Sequence, residues 1–93
     1  MTKSLKEYRR KLLADPEFKA AYEALEDEYA LARAIIQARV ESGLTQEELA
    51  KRMGTTQSVV ARWESGKTLP SCRTLLRLAK ATGTRFHAQF VAR

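Results

Sequence analysis

Gln57, Ser58 and Arg62 carry the most legible chemistry in this 93-residue chain. At about 100° per residue of helix, they fall on one side of the segment 56–65 together with Ala61. Val60 and Trp63 point the opposite way, and Val59 sits on the boundary. A glutamine can donate to and accept from adenine at once, an arginine can donate twice to guanine, and a serine hydroxyl suits several partners. An apolar inner side carrying that outer set is what a helix needs to read base edges in a major groove. An ordinary solvated helix surface carries similar residues, so the trio by itself leaves both readings open. Thr55 and Thr56 add hydroxyls at the helix N-terminus, a place that favours phosphate.

Other reactive side chains are poorly arranged for chemistry. His87 is the only histidine and Cys72 the only cysteine, and their separation matches no zinc-ligand spacing. Glu26, Asp27 and Glu28 are consecutive and suit a solvated face better than a catalytic pair. Neither a Ser-His-Asp set nor a phosphate-cradling glycine loop is present. The expectation is therefore no enzyme activity, no metal, no cofactor and no small-molecule substrate. One cysteine excludes an internal disulfide and fits a reducing cytoplasm. No apolar run approaches the roughly 20 residues that span a bilayer, and the basic N-terminus lacks a signal peptide's apolar stretch. A soluble, cytoplasmic protein without a membrane partner is expected.

The elements that would position the trio can be read from caps and periodicity. Asp15 followed by Pro16 marks a helix start. Phe18, Tyr22, Leu25, Tyr29, Ala32 and Ile36 then recur at steps of four and three, continuing to Val40 and ending at Gly43. The pattern fits one long helix or two with a bend near 26–28. Before it, Leu5, Tyr8 and Leu12 suggest a short basic amphipathic helix. Thr45 with Glu48 three residues on has capping-box spacing and opens a helix through Leu49, Ala50 and Met53. Gly54 closes that helix, and Thr55 or Thr56 caps the next. Residues 66–70 are loop by composition, and Ser71 caps a last helix carrying Leu75, Leu76, Leu78 and Ala79, ended by Gly83. In the tail, Phe86, Ala88, Phe90 and Ala92 alternate with more polar residues, which is strand spacing. A lone strand cannot satisfy its own backbone, so the tail is expected to pair with a second copy through Phe86, Ala88 and Phe90.

Charge is distributed unevenly along the chain. The net formal charge is +6, which fits a polyanionic partner. Residues 1–14 carry five bases and one acid, residues 15–30 one base and six acids, and residues 69–93 five bases and no acid. DNA would repel the acidic segment, which must turn away from a duplex or lie against a basic protein.

The string L-T-Q-E-E-L-A-x-x-M-G-T-T-Q-S-x-V-x-R-W-E-S-G-K, at 44–67, closely resembles the helix-turn-helix core of the phage repressor/Cro-like (Xre) family. The resemblance extends over 33–83. It implies an all-α, five- to six-helix lambda-repressor-like DNA-binding domain with the 56–65 helix in the major groove. Position by position, Gln57, Ser58 and Arg62 fall on base-contacting positions, with Thr56 at the groove edge. Gln46, Thr55 and Lys67 fall on the phosphate side. Arg39 and Glu64 match a pair that bridges the first and third helices in some relatives, and they hold the fold rather than read bases. Trp63 stands where relatives usually carry an aliphatic residue, which makes it core.

The leader L-A-D-P-E-F-K-A-A-Y-E-A-L-E, at 13–26, together with this core and the terminal strand, resembles HigA-type antitoxins of bacterial toxin–antitoxin pairs. That resemblance implies neutralisation of a RelE-like mRNA interferase toxin and repression of the shared operon, with double-stranded operator DNA and a cognate ribonuclease toxin as partners. The expected organisation is an N-terminal helical extension at 1–28, a helix-turn-helix domain at 29–83 and a C-terminal dimerisation strand at 84–93 of a homodimer. Phe18, Tyr22, Glu23 and Glu26 are the toxin-facing candidates. Two other readings remain open: a stand-alone Xre-family transcriptional regulator with no toxin partner, and a protein-interaction module whose basic surface is incidental.

Overall fold

A computed structural model describes residues 7, 8, 10, 11 and 14–92. Four helices are delimited among them: α1 (Pro16–Glu41), α2 (Gln46–Met53), α3 (Gln57–Glu64) and α4 (Cys72–Thr82). Each starts at a residue that can satisfy an otherwise orphaned backbone donor. The Asp15 side chain accepts from the Glu17 N–H and Pro16 occupies the first turn of α1, while Thr56 and Ser71 cap α3 and α4. The Thr45–Glu48 capping box on α2 is closed in both directions, at 3.1 Å from the Glu48 N–H to the Thr45 hydroxyl and 3.0 Å from the Thr45 N–H back to the Glu48 carboxylate. Gly54 takes φ +68° in the turn between α2 and α3. That left-handed turn reverses the chain within three residues and fixes how α3 leaves α2.

The backbone hydrogen bond from Thr45, then that from its side chain, hold the Glu48 carboxyl below the usual glutamate range. A depressed folded value means the box stabilises α2 above the ordinary glutamate pKa and loses that contribution as the pH falls through the depressed one. Glu48→Gln is therefore expected to flatten the acid side of a thermal-stability profile relative to the unsubstituted protein. Parallel profiles measured by circular dichroism would refute this role for the carboxylate.

The core collects one face from every helix. Ile35, Leu44, Leu49, Ala50, Met53, Val60, Trp63 and Leu78 form one buried cluster, with Leu31, Ala38, Val59, Leu75 and Ala81 packed at its edge. Leu49 and Val60 are wholly enclosed. Two arginines tie α2 to α4: Arg77 donates to the Met53 carbonyl at the end of α2, and Arg52 donates to the Ala81 carbonyl at 3.0 Å. Cations placed on those carbonyls answer both the missing intrahelical donors and the helix dipole.

The expectation of five to six helices with a C-terminal strand is corrected on two counts. Residues 16–41 form one unbroken helix of 26 residues, without the bend that would have made two. The helix expected before Asp15 falls partly outside the described residues: Leu5 and Leu12 do so, while Glu7, Tyr8, Arg10 and Lys11 are helical. No strand is present among the described residues, and 84–92 run as irregular chain after Gly83. The tail's alternation is real as a pattern, but a strand exists only through the ladder it forms with a neighbour, and none of the described residues offers one. The three residues assigned to dimerisation also fail to share a face of a sheet. Phe86 is half-buried beside α1 and α4, whereas Ala88 and Phe90 are exposed.

The apolar stripe of α1 is used over only part of its length. Of the stripe's residues only Ala32 is buried and Ile36 is half-buried, while Phe18, Leu25, Tyr29 and Val40 keep 37%, 51%, 49% and 57% of their surface. The helix's other buried residue is Ile35, one position off the stripe. At about 1.5 Å per residue the first half of α1 reaches well beyond the core as an acidic arm. Tyr29 marks the junction. Its ring stands 3.5 Å from where a Cβ on Gly66 would lie, so it covers the loop that follows α3.

Candidate nucleic-acid interface

α3 is pinned from beneath and open above. Val60 is fully enclosed and Trp63 is 8% exposed, while Gln57, Ser58 and Arg62 are exposed on the other side. Thr56 uses its hydroxyl oxygen to accept from the Val59 N–H at 3.4 Å, leaving the hydroxyl proton available outward. Thr55 is half-buried in the turn, and Lys67 is exposed in the loop after α3. That loop is held to the end of α3: the Lys67 N–H donates to the Arg62 carbonyl at 3.1 Å, and the Gly66 N–H to the Trp63 carbonyl at 3.2 Å.

A chain of polar contacts joins α3 to α1 and α2. Arg39 on α1 grips Glu64 on α3 with two hydrogen bonds, Nε to Oε2 at 2.7 Å and Nη2 to Oε1 at 2.9 Å. A third runs from Nη1 to the Leu44 carbonyl at 3.0 Å. Their side chains are 16% and 5% exposed, so the pair is largely withdrawn from solvent. The hydrogen bond to Glu64 raises the already high pKa of Arg39 against the opposing effect of burial, and the guanidinium stays charged at any ordinary pH. The amide of Gln46 donates to Glu64 Oε1 at 3.1 Å, and that of Gln57 donates to Gln46 Oε1 at 3.4 Å. The resemblance suggested the bridge between Arg39 and Glu64; the two links running from it to Gln57 were not foreseen. The available signal was positional, since Gln46 and Gln57 each open a helix on either side of one short turn.

The four toxin-facing candidates lie apart from this face, on the arm. Phe18 and Tyr22 stack with ring centroids 6.2 Å apart. Glu23 is half-buried, and Glu26 is exposed, 3.7 Å from Arg33 along the helix. No group of three or more metal-ligating side chains occurs among the described residues. Nor is any described helix long and apolar enough to cross a membrane.

Two short helices joined by a left-handed glycine turn, with a polar face exposed on the second, define a helix-turn-helix domain of the DNA-binding kind. The chain belongs to the helix-turn-helix family, whose sequence profile matches residues 35–88. It is 39% identical to the antitoxin HigA1 of Mycobacterium tuberculosis over 74 residues, which cover 80% of this chain and 50% of that protein. It is 36% identical to multiprotein-bridging factor 1a of Arabidopsis thaliana over 59 residues, 63% of this chain and 42% of that protein. An uncharacterised helix-turn-helix transcriptional regulator of Methanothermobacter thermautotrophicus is 47% identical over 45 residues, 48% of this chain and 65% of that protein. The chain thus spans about half the length of the antitoxin it matches. No solved structure matches it.

Proposed function

We propose that this chain is a HigA-type antitoxin that represses its own operon through α3 and neutralises a RelE-like mRNA interferase through the arm of α1. The observation that carries the DNA half is the exposure of Gln57, Ser58 and Arg62 on a helix whose opposite side is locked by Val60 and Trp63. The antitoxin half rests on the similarity to HigA1, which extends over 80% of this chain, and on the charge of 15–30. One base against six acids complements the positive surface that an RNA-cleaving partner turns toward phosphate. The organisation that follows is an N-terminal extension at 1–28 for the toxin and a domain at 29–83 for DNA. Two copies on a palindromic operator would set their reading helices about 34 Å apart; a footprint confined to one half-site would remove the dimer from this scheme.

The stand-alone regulator is the second reading. It is favoured by the match to the regulator of Methanothermobacter thermautotrophicus, the most identical of the three at 47% but confined to 45 residues. Co-purification with the product of the adjacent gene, followed by a growth-rescue assay, separates the two. Failure to recover a toxic partner, with salt-dependent DNA binding retained, favours the regulator. Within the DNA face, Arg62→Ala is expected to weaken specific binding by about 1–3 kcal/mol and relax one base position, while Lys67→Ala weakens all duplexes alike and lowers the salt slope by about one. A pattern in which both substitutions act equally on specific and random DNA contradicts these roles.

A further inference from the structure

We infer that the cleft between the C-terminal ends of α2 and α4 is a binding site for a phosphate group, separate from the exposed face of α3. Five residues line this cleft of about 460 Å³: Arg52 and Met53 from the end of α2, and Arg77, Lys80 and Ala81 from α4. Three of the five are cations and none is an acid. The two arginines clasp the helices in opposite directions. Arg77 on α4 donates to the Met53 carbonyl, and Arg52 on α2 donates to the Ala81 carbonyl at 3.0 Å. A guanidinium carries five N–H donors, so one such bond fixes its place and leaves donors to spare. Arg52, Arg77 and Lys80 are all exposed, and their free donors can be reached from water.

Cations near helix C-termini stabilise the carbonyls they meet, which accounts for one N–H of each arginine. It does not explain why three like charges share one cleft, where each repels the others. No counter-ion comes from α4, since residues 69–93 hold five bases and no acid. Arg73, one turn before Arg77, extends the same basic face of the helix. On α2 the carboxylate one turn back from Arg52 is that of Glu48, and it is engaged by the Thr45 N–H at 3.0 Å. A phosphate answers all three cations at once, because it combines multiple charge with oxygens spread over a tetrahedron. A single carboxylate would match only one of them. The clasp has already ordered both guanidiniums, so binding costs little further side-chain freedom. The cleft also lies at the opposite end of α2 from Gln46, roughly 10 Å along the axis. It is therefore distinct from the phosphate contact assigned to Gln46, and it stands whether or not α3 reads DNA.

Backbone amide shifts of the full chain, followed by NMR during titration with sodium pyrophosphate at constant ionic strength, test this. Saturable shifts are expected at 51–54 and 77–82. Lys80→Gln leaves both arginine clasps in place and is expected to weaken pyrophosphate by about tenfold, the scale of one hydrogen bond to a charged group. Arg85→Gln removes the same charge outside the cleft and should change the affinity by less than about twofold. A second titration with a random-sequence duplex distinguishes the source of the phosphate. If the same amides move and Lys80→Gln lowers the salt slope by about one, the cleft holds a nucleic-acid backbone. If they move with pyrophosphate alone, and still do so with duplex present, the ligand is a small phosphate compound. The inference is overturned if neither titrant moves 51–54 and 77–82. It is equally overturned if pyrophosphate shifts spread evenly over the basic surface or concentrate at 55–58, or if the two variants weaken binding alike.

Discussion

Glu64→Ala is expected to destabilise the domain by about 3–4 kcal/mol, which for a chain of this size is a fall in Tm of roughly 15–25 °C. The cost comes from what is left behind. Arg39 would keep its charge, since nothing near neutral pH can remove it, at a side chain only 16% exposed. It would lose two of its three hydrogen bonds, keeping the one to the Leu44 carbonyl. The pair connects α1 to the end of α3, so its loss also frees the helix whose exposed face carries Gln57, Ser58 and Arg62. A double change to apolar residues, Arg39→Met with Glu64→Leu, removes both charges and should recover most of the loss. Thermal melts of Arg39→Met, Glu64→Leu and the double variant close a cycle with the unsubstituted protein. Equal stability of Glu64→Ala and the double variant would mean that the ion pair contributes no more than its packing volume.

What could be read in the sequence and what could not divides along the range of the interactions. Asp15, Thr45 with Glu48, Gly54, Thr56, Ser71 and Gly83 mark helix ends because a cap bonds only two to four residues along the chain, and each does so here. The inner and outer sides of α3 follow from helical period alone. Period fails where burial depends on having a neighbour. The stripe from Phe18 to Val40 is regular from end to end, yet Ala32 is its one buried member, and the core takes Ile35 rather than Ile36. The tail fails for the same reason, since alternation selects faces of a sheet but cannot supply the second strand. The relay from Arg39 to Gln57 spans four side chains on three helices. Only their relative placement brings those amides within reach, and no local rule encodes it.

The arm yields the second large effect. Phe18→Ala with Tyr22→Ala is expected to cost about 2–4 kcal/mol in binding to the toxin-like partner, the size of an aromatic hot spot, while changing folding stability by less than about 0.5 kcal/mol. The two rings stack on each other at 6.2 Å, on a stretch of α1 that lends no residue to the buried cluster. An aromatic pair left partly in water on an acidic helix has little to gain from its own fold. On the proposed antitoxin reading, a partner would cover that apolar area, and the surrounding carboxylates would favour a basic surface. DNA is the informative control, because the same double variant should bind operator as before. Titration calorimetry with the co-purified partner, set beside thermal melts of the free protein, reads both quantities. If the melts fall as far as the affinity does, Phe18 and Tyr22 belong to the architecture of α1 and the partner must dock elsewhere.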